Sequence, residues 1–399
     1  MQHTLIKKKK NIYEQYYTSN ELSRLMLSYI PPIFWHRKIK VLDLCMGEGA
    51  LLKSVQKISN QVEFYGTDID PYNISHAKEN GFNLAAMACV DATSHAVLDA
   101  LKDKKFDLVL GNPPFKLIEN IGLAKEITTE FNLDKSSRLI EAELFFLLLG
   151  IKLLKINGYL AYILPDGFLT KKSLSQTRSI LSKNFSIQNV IEIPPKAFNG
   201  TEAKTHILIL KKAKNIKDKI KLSQTTYDDI YISNENFTQR GDYSYYFNTK
   251  EINDKSIKSI GATILRGKKT KRELEINGFE HYIHTSHLQA QGKKFFNTSK
   301  VNDDVKAIAG DIIVARVGTR VIGNFGIVIN GEFRISDCVF IIRCTDEKSR
   351  DQTISTLASD FGKKWLSAIS KGVGAKHITL QDLYSLPIYQ EDSHEHSHS

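Results

Sequence analysis

The chain has 399 residues, 42% of them hydrophobic, enough for two or three globular domains with buried cores. Its 55 Lys and Arg against 44 Asp and Glu leave a net charge of +11, which favours a polyanionic partner such as nucleic acid. The four cysteines Cys45, Cys89, Cys338 and Cys344 include no C-x-x-C pair, which argues against a zinc site, any other metal site and a disulfide framework, and the longest apolar run, Leu144 to Gly150, is too short to cross a bilayer.

The expected location is therefore the cytoplasm, with no membrane partner. Lys7 to Lys10 read as a solvated basic arm, without the apolar core of a signal peptide. The tail His394 to Ser399 reads as a disordered terminus.

In chain order, Lys40 to Leu44, Glu63 to Thr67, Ala86 to Val90 and Phe106 to Leu110 read as strands. Glu141 to Lys155 reads as a helix ended by Asn157-Gly158, and Tyr159 to Leu164 as the next strand. Lys204 to Lys211 is a further β-rich run. Strands alternating with helical segments imply an α/β, mostly parallel, doubly wound sheet. The polar stretch Lys211 to Lys250 reads as the end of this domain plus a connection. Beyond it come short strands: Gly310 to Arg316, Phe325 to Ile329, Glu332 to Ile335 and Asp337 to Cys344. Asn330-Gly331 predicts a hairpin between the second and third of these. Ile354 to Ser370 has helical spacing, so this half reads as a separate α+β domain.

Ligands of parallel sheets collect at the carboxyl ends of the strands. Four consecutive predicted strands end in residues with useful chemistry. The first runs into Asp43-x-x-x-Gly47-x-Gly49, where glycines allow a tight turn and close approach of backbone to a ligand. The spacing is not that of a dinucleotide fingerprint. The second ends at Asp68-Ile69-Asp70, the third at Asp91 and the fourth at Asn112-Pro113-Pro114-Phe115. Asp68 could accept ribose hydroxyls or cap the next helix, and Asp91 could accept an adenine amine or cap a helix starting near Ala92. Asp43 could accept an ammonium group or be a satisfied buried carboxylate. A strand ending in Asn-Pro-Pro-aromatic presents two rigid acceptors, the asparagine amide and a proline carbonyl, beside a stacking ring. That set suits an exocyclic amine, although such a motif can also be only a stiff turn.

Residues 10 to about 212 resemble the catalytic domain of S-adenosylmethionine-dependent amino-group DNA methyltransferases, in the order of the γ class of N6-adenine enzymes of restriction-modification systems. The resemblance implies a Rossmann-like fold over about residues 1–240. It implies that Tyr16-Tyr17-Thr18 lie by the methionine end of the cofactor. It assigns Thr18, Asp43, Cys45, Gly47, Gly49, Asp68, Ile69, Asp91 and Asn112 to cofactor binding. Asn112, Pro113, Pro114 and Phe115 match the catalytic motif, and Tyr159 to Asp166 its supporting strand. Phe198 lies where the family carries a second aromatic beside Phe115 against a flipped-out adenine. The family places a β-hairpin near the end of this domain, with Lys204 to Lys211 as one arm. Leu44 departs from the proline often found after the family's first acid.

Residues 255–390 resemble the target-recognition domains of type I specificity subunits. The resemblance rests on Ile264 to Lys268, Gly310 to Gly318, Gly374 to Ile378 and Leu386-Pro387-Ile388. It implies duplex DNA as partner, with Arg266, Lys268, Lys269, Arg316, Arg320 and Lys376 as candidate contacts among the basic residues. About 39 residues precede the first predicted strand, so a fused nuclease is not expected, and any endonuclease would be a separate chain. Two other readings stay open at this level. The same motif serves RNA and protein-glutamine methylation, and a DNA-binding specificity module could carry an inert methylase half.

Overall fold

The computed structural model describes residues 18–79, 84–101, 104–133, 137–195, 197, 204–213, 216–249, 255–371 and 376–388. Two compact units divide the chain between Tyr243 and Ser244.

The first unit is built on a nine-stranded sheet. Its elements begin with α1 (Asn20–Ser28), β1 (Ile39–Asp43), α2 (Ala50–Gln56), β2 (Val62–Asp68), α3 (Pro71–Glu79), β3 (Leu84–Cys89), α4 (Ala96–Leu101) and β4 (Phe106–Gly111). A short ribbon follows, β5 (Leu117–Glu119), α5 (Gly122–Glu130) and β6 (Leu139–Glu141), then α6 (Ala142–Leu153) and β7 (Leu154–Pro165). The unit continues through α7 (Asp166–Thr170), α8 (Ser175–Asn184), β8 (Ser186–Ile193), β9 (Thr205–Lys211), β10 (Lys219–Gln224), β11 (Tyr227–Ser233) and α9 (Asn234–Gln239), and α10 (Tyr243–Thr249) follows. The sheet order is β11-β10-β8-β9-β7-β4-β1-β2-β3. Strands β3, β2, β1, β4 and β7 pair in parallel, and β9 inserts antiparallel between β7 and β8.

Side-chain alternation makes this a three-layer structure. Ile39 and Val41 of β1, Leu108 and Leu110 of β4, and Ile207 and Ile209 of β9 all enter one core cluster. That cluster also holds Leu22 and Met26 of α1, Phe34 and Trp35, and Leu51 and Val55 of α2. Helix α6 is buried all round, with only Lys152 missing from its buried residues. A helix apolar on every side is an interior helix, and here it packs on α5, β4 and β7.

Three expectations are corrected here. Asn157-Gly158 does not end the helix, which stops at Leu153; Asn157 takes φ +65° within β7, where the register with β4 slips between Phe106 and Leu108. A left-handed Asn inside a strand makes a bulge rather than a terminator. The stretch Lys211 to Lys250 is the end of the domain, as expected, but leaves little of it as a connection, because β10 and β11 extend the sheet and α9 packs on α8. Its polar look arises because β11 is half-exposed, with only Ile230 and Ile232 buried. The helix expected near Ala92 starts at Ala96, as α4.

The second unit holds a five-stranded sheet, β12-β19-β16-β17-β14, and a three-stranded one, β13-β18-β15. These strands are β12 (Thr263–Arg266), β13 (Tyr282–Ile283), β14 (Lys293–Phe296), β15 (Lys306–Ala307), β16 (Ile312–Ala315), β17 (Phe325–Asn330), β18 (Phe333–Ile335) and β19 (Val339–Arg343). The helices are α11 (Lys271–Ile276), α12 (Glu347–Ala358), α13 (Asp360–Ile369) and α14 (Leu380–Tyr384). The Asn330-Gly331 hairpin does not form: β17 and β18 belong to different sheets. A two-residue hairpin of this type needs positive φ at both positions, and only Gly331 has it, at +80°. Ile354 to Ser370 is two helices, parted at Ser359, whose hydroxyl accepts from Gly362 N at 3.0 Å and caps α13.

Two buried polar clusters brace the far half of the first sheet. Arg178 of α8, fully buried, donates to the carbonyls of Phe168, Lys171, Phe237, Thr238 and Gln239 at 2.8–3.2 Å. Lys204 lies 3.3 Å from Asp166, 3.0 Å from Glu192 and 3.5 Å from Asp242, and His206 bonds Asp166 at 3.1 Å. Arg240 pairs with Asp242. Replacing Arg178 by Met strands several buried carbonyls at once. The variant should lose about 3 kcal/mol or more of unfolding free energy in urea. A loss below about 1 kcal/mol would show that the arginine is not a structural tie.

Candidate active site

The strand order reverses direction at β1 and β4: the chain leaves β1 towards β2 and β3 on one side, and β4 lies on the other. Such a switch point opens a crevice at the carboxyl ends. A cavity of about 440 Å³ lies there, lined among others by Cys45, Gly47, Asp68, Ile69, Asp91, Asn112, Pro114 and Lys116. Residues from all four predicted strand ends therefore meet in one pocket.

The turn after β1 is shaped by its glycines. Gly47 and Gly49 take φ +52° and +79°, and nothing lies within 4 Å of the position a Cβ would occupy on Gly47. Gly49 N-caps α2 in the left-handed region. Gly47 N donates to Asp68 Oδ2 at 2.8 Å, while Asp70 N (2.9 Å) and Asn73 Nδ2 (3.1 Å) donate to Oδ1. The helix-cap duty weighed for Asp68 falls on Asp70, which accepts from Tyr72 N at 2.9 Å at the start of α3. Asp91 accepts from Thr93 N and Thr93 Oγ1 through Oδ1, in a local turn rather than a helix cap. Ile69 is half-exposed in the pocket and offers it an apolar face.

On the β4 side, Thr18 Oγ1 accepts from Asn112 Nδ2 at 3.2 Å, which holds the amide in place. Pro113 is buried and Pro114 lines the cavity. The Phe115 ring rests, partly buried, against the core cluster of the sheet. Phe198, Tyr16 and Tyr17 lie outside the described residues. The sequence pattern did not point to the opposite wall, Ile118, Glu119, Ile121, Ala124 and Phe146, supplied by the β5–β6 ribbon, α5 and α6. Apolar spacing in these elements gives no sign of which residues face a ligand.

Asp43 lies beneath the pocket rather than on its wall. It is 1% exposed, and its Oδ1 accepts from Cys45 N at 3.0 Å. Burial, then the charge of Asp68, raise its carboxyl to about 7 against the Cys45 hydrogen bond. Burial pushes the Cys45 thiol well above its usual range, helped by Asp43 and Asp68, so Cys45 is held as a neutral thiol. Among the described residues no cluster of His, Cys, Asp and Glu could hold a metal, and no helix is long and apolar enough to cross a membrane.

The candidate DNA contacts differ in their surroundings. Lys268 and Arg320 are exposed, and Lys376 is half-buried. Lys269 is engaged within the fold, paired with Asp303 and placed 4.9 Å from the Phe279 ring. Arg266 and Arg316 both donate to the Asp337 carbonyl. Gly374 and Ala375 lie outside the described residues.

The raised Asp43 acid gives a pH test. An unfolded aspartate ionises near 4. Protons therefore favour the folded unit between about 4 and 7: this contribution is complete at the low end and lost as pH rises through 7. Asp43→Asn should remove the slope, so the variant gains on the parent chain between pH 5 and 8, by at most about 3 kcal/mol. Denaturation curves that stay parallel over that range would rule out a buried protonated Asp43.

The methylase subunit of the type I restriction enzyme MpnII of Mycoplasma pneumoniae is 26% identical over 202 residues, 45% of this chain and 37% of that protein. The type II methyltransferase M.VspI of a Vibrio species is 26% identical over 210 residues, 51% of this chain and 49% of its own length. The chain thus spans between about a third and a half of these relatives. The solved structure of the type IIG restriction endonuclease BpuSI covers 94% of this chain and 59% of its own, with a TM-score of 0.52 at 13% identity, a likeness of fold. Residues 3–290, well over half of the sequence, match the N-6 DNA Methylase family, and the chain belongs to that family.

Proposed function

We propose that this chain transfers a methyl group from S-adenosylmethionine to the N6 amine of an adenine flipped out of duplex DNA, as the modification part of a restriction-modification system. The observation that carries the reading is the shared pocket. Asn112 and Pro114 of the Asn-Pro-Pro-Phe turn line the same cavity as Gly47, Asp68 and Asp91. In this reading the first unit does the chemistry in the cytoplasm, the second chooses the DNA sequence, and a separate endonuclease is the natural counterpart.

The residues fit the methyl donor. The open space over Gly47 admits a ligand against the backbone, and Asp68 is already aimed by three donors, ready to accept ribose hydroxyls. Asp91 suits the adenine amine and Ile69 the ring face. Asp43 suits the ammonium group, whose charge would favour its ionised form. When bound, the donor supplies an electrophilic methyl on a positively charged sulfur.

The adenine N6 lone pair is delocalised into the ring and is a poor nucleophile. The Asn112 amide oxygen and the Pro113 carbonyl accept its two hydrogens and favour a pyramidal nitrogen. Thr18 fixes the amide, so this geometry is set before the base arrives. Phe115, with Phe198, gives the extruded base a stacking face. No covalent intermediate is required, in keeping with the neutral Cys45 thiol.

Asn112→Ala should lower turnover on duplex DNA by ~10²–10³, with cofactor affinity nearly unchanged. Turnover near that of the parent chain in a radiolabel transfer assay would sink the assignment. Asp68→Ala should weaken S-adenosylmethionine binding by roughly 1.5–3 kcal/mol in calorimetry. An unchanged dissociation constant would confine Asp68 to holding the glycine turn.

A further inference from the structure

Two arginines meet at one end of the five-stranded sheet of the second unit. Arg266 ends β12 and Arg316 follows β16; β19 runs between those strands, with Arg266 opposite Phe340 and Ala315 opposite Val339. Just before β19, the Asp337 carbonyl accepts from both guanidinium groups, from Arg266 Nε at 3.4 Å and from Arg316 Nη1 at 3.1 Å. The Arg316 guanidinium also lies 5.8 Å from the centre of the Phe340 ring.

The shared acceptor is itself held. Asp337 N donates to Lys269 O at 2.8 Å, and Arg316 N to Cys338 O at 2.9 Å. A Cβ on Gly267 would fall 2.2 Å from Ser336 O, so only glycine lets the chain after Arg266 press so closely on this turn. Other cations of this unit are ion-paired within the fold: Lys269 and Arg334 share Asp303, and Arg343 pairs with Asp311. Among the described residues, Arg266 and Arg316 have no carboxylate in ion-pair reach. Burial and the charge of Arg266 lower the proton affinity of Arg316.

We propose that Arg266 and Arg316 form a base-reading pair that recognises guanine in the major groove, and so help to set the sequence this methylase modifies. The proposal rests on the reading of the chain as a DNA methylase. Two like charges held side by side on one carbonyl, Arg266 exposed and Arg316 half-buried, are unfavourable until an acceptor-rich partner arrives. Guanine presents N7 and O6 side by side, at the spacing of a guanidinium fork. A planar fork already oriented by a carbonyl and a ring loses little freedom on binding. Lys268 and Arg320, exposed like Arg266 but not oriented by the Asp337 carbonyl, instead suit phosphate contacts, which need charge and no fixed angle.

The test uses the full chain. Sequencing of modified adenines in DNA from cells that make it should give a motif containing guanine. Each guanine of a duplex carrying that motif is then replaced in turn by 7-deazaguanine, which lacks N7. One position should cost the parent chain roughly 10- to 100-fold in kcat/KM. Arg316→Lys and Arg266→Lys should lose a similar factor on the unmodified duplex and little more on the 7-deazaguanine one. A motif without guanine, or indifference of the parent chain to every 7-deazaguanine substitution, overturns the proposal without any variant. So does a loss in the lysine variants that is uniform across duplexes and accompanied by a shallower salt dependence, the mark of a phosphate contact. Failure of the parent chain to methylate any duplex overturns the enzyme reading instead, and the proposal with it.

Discussion

The parallel pairing of β1 with β4 is the constraint on which the rest of the site depends. Val41 lies opposite Leu108, Leu42 opposite Val109 and Asp43 opposite Leu110. In that register the two strands end at the same level, and the glycine turn after Asp43 faces the Asn-Pro-Pro-Phe turn after Gly111. β4 is buried on both faces, and a slip of one residue would send each of its side chains into the opposite layer, so the cost of mispairing is large. The hydrophobic core thereby enforces the geometry of the pocket, and buried Leu44, Ala124 and Phe146 also line it.

Polar burial is used differently at the two halves of the sheet edge. Beneath the pocket, Asp43 has one backbone donor and no cation beside it, so burial dominates and its proton is retained to about 7. At the ends of β7, β8 and β9, Asp166 and Asp242 are equally buried but face Lys204, Arg240 and His206, which hold both carboxyls below their ordinary range. Similar acids in similar burial thus take opposite directions, decided by whether a cation is adjacent. The paired cluster is a brace for the sheet, while the unpaired acid is suited to a positively charged ligand.

Much of the first unit was legible in the chain because its signals are local. Apolar runs ending in Gly47, Asp68, Asp91 and Asn112 mark strands, and the expected strands stop within one residue of the observed ones, although β7 begins five residues before Tyr159 and β8 was not foreseen. What was not legible depends on pairing partners far apart in sequence. Nothing in Lys219 to Ser233 shows that β10 will find β8 as a parallel neighbour. Asn330-Gly331 has the composition of a hairpin, yet the two strands find better partners in separate sheets. In the site, the acids were visible, but the Thr18–Asn112 bond spans 94 positions and the α5 and α6 wall lies in ordinary apolar helix. The convergence of Arg266 and Arg316 on one carbonyl is likewise a product of β12, β16 and β19 being neighbours.

The bond from Gly47 N to Asp68 Oδ2 makes the glycine turn and the acid at the end of β2 a single hydrogen-bonded unit. It also makes the Gly47 amide a built-in spectroscopic probe. The chemical shift of an amide proton bonded to a carboxylate follows the charge on that carboxylate and the competition for its oxygens. One backbone resonance, far from the crowded region by virtue of its glycine nitrogen, therefore reports ionisation and occupancy at Asp68 without label, substrate or turnover.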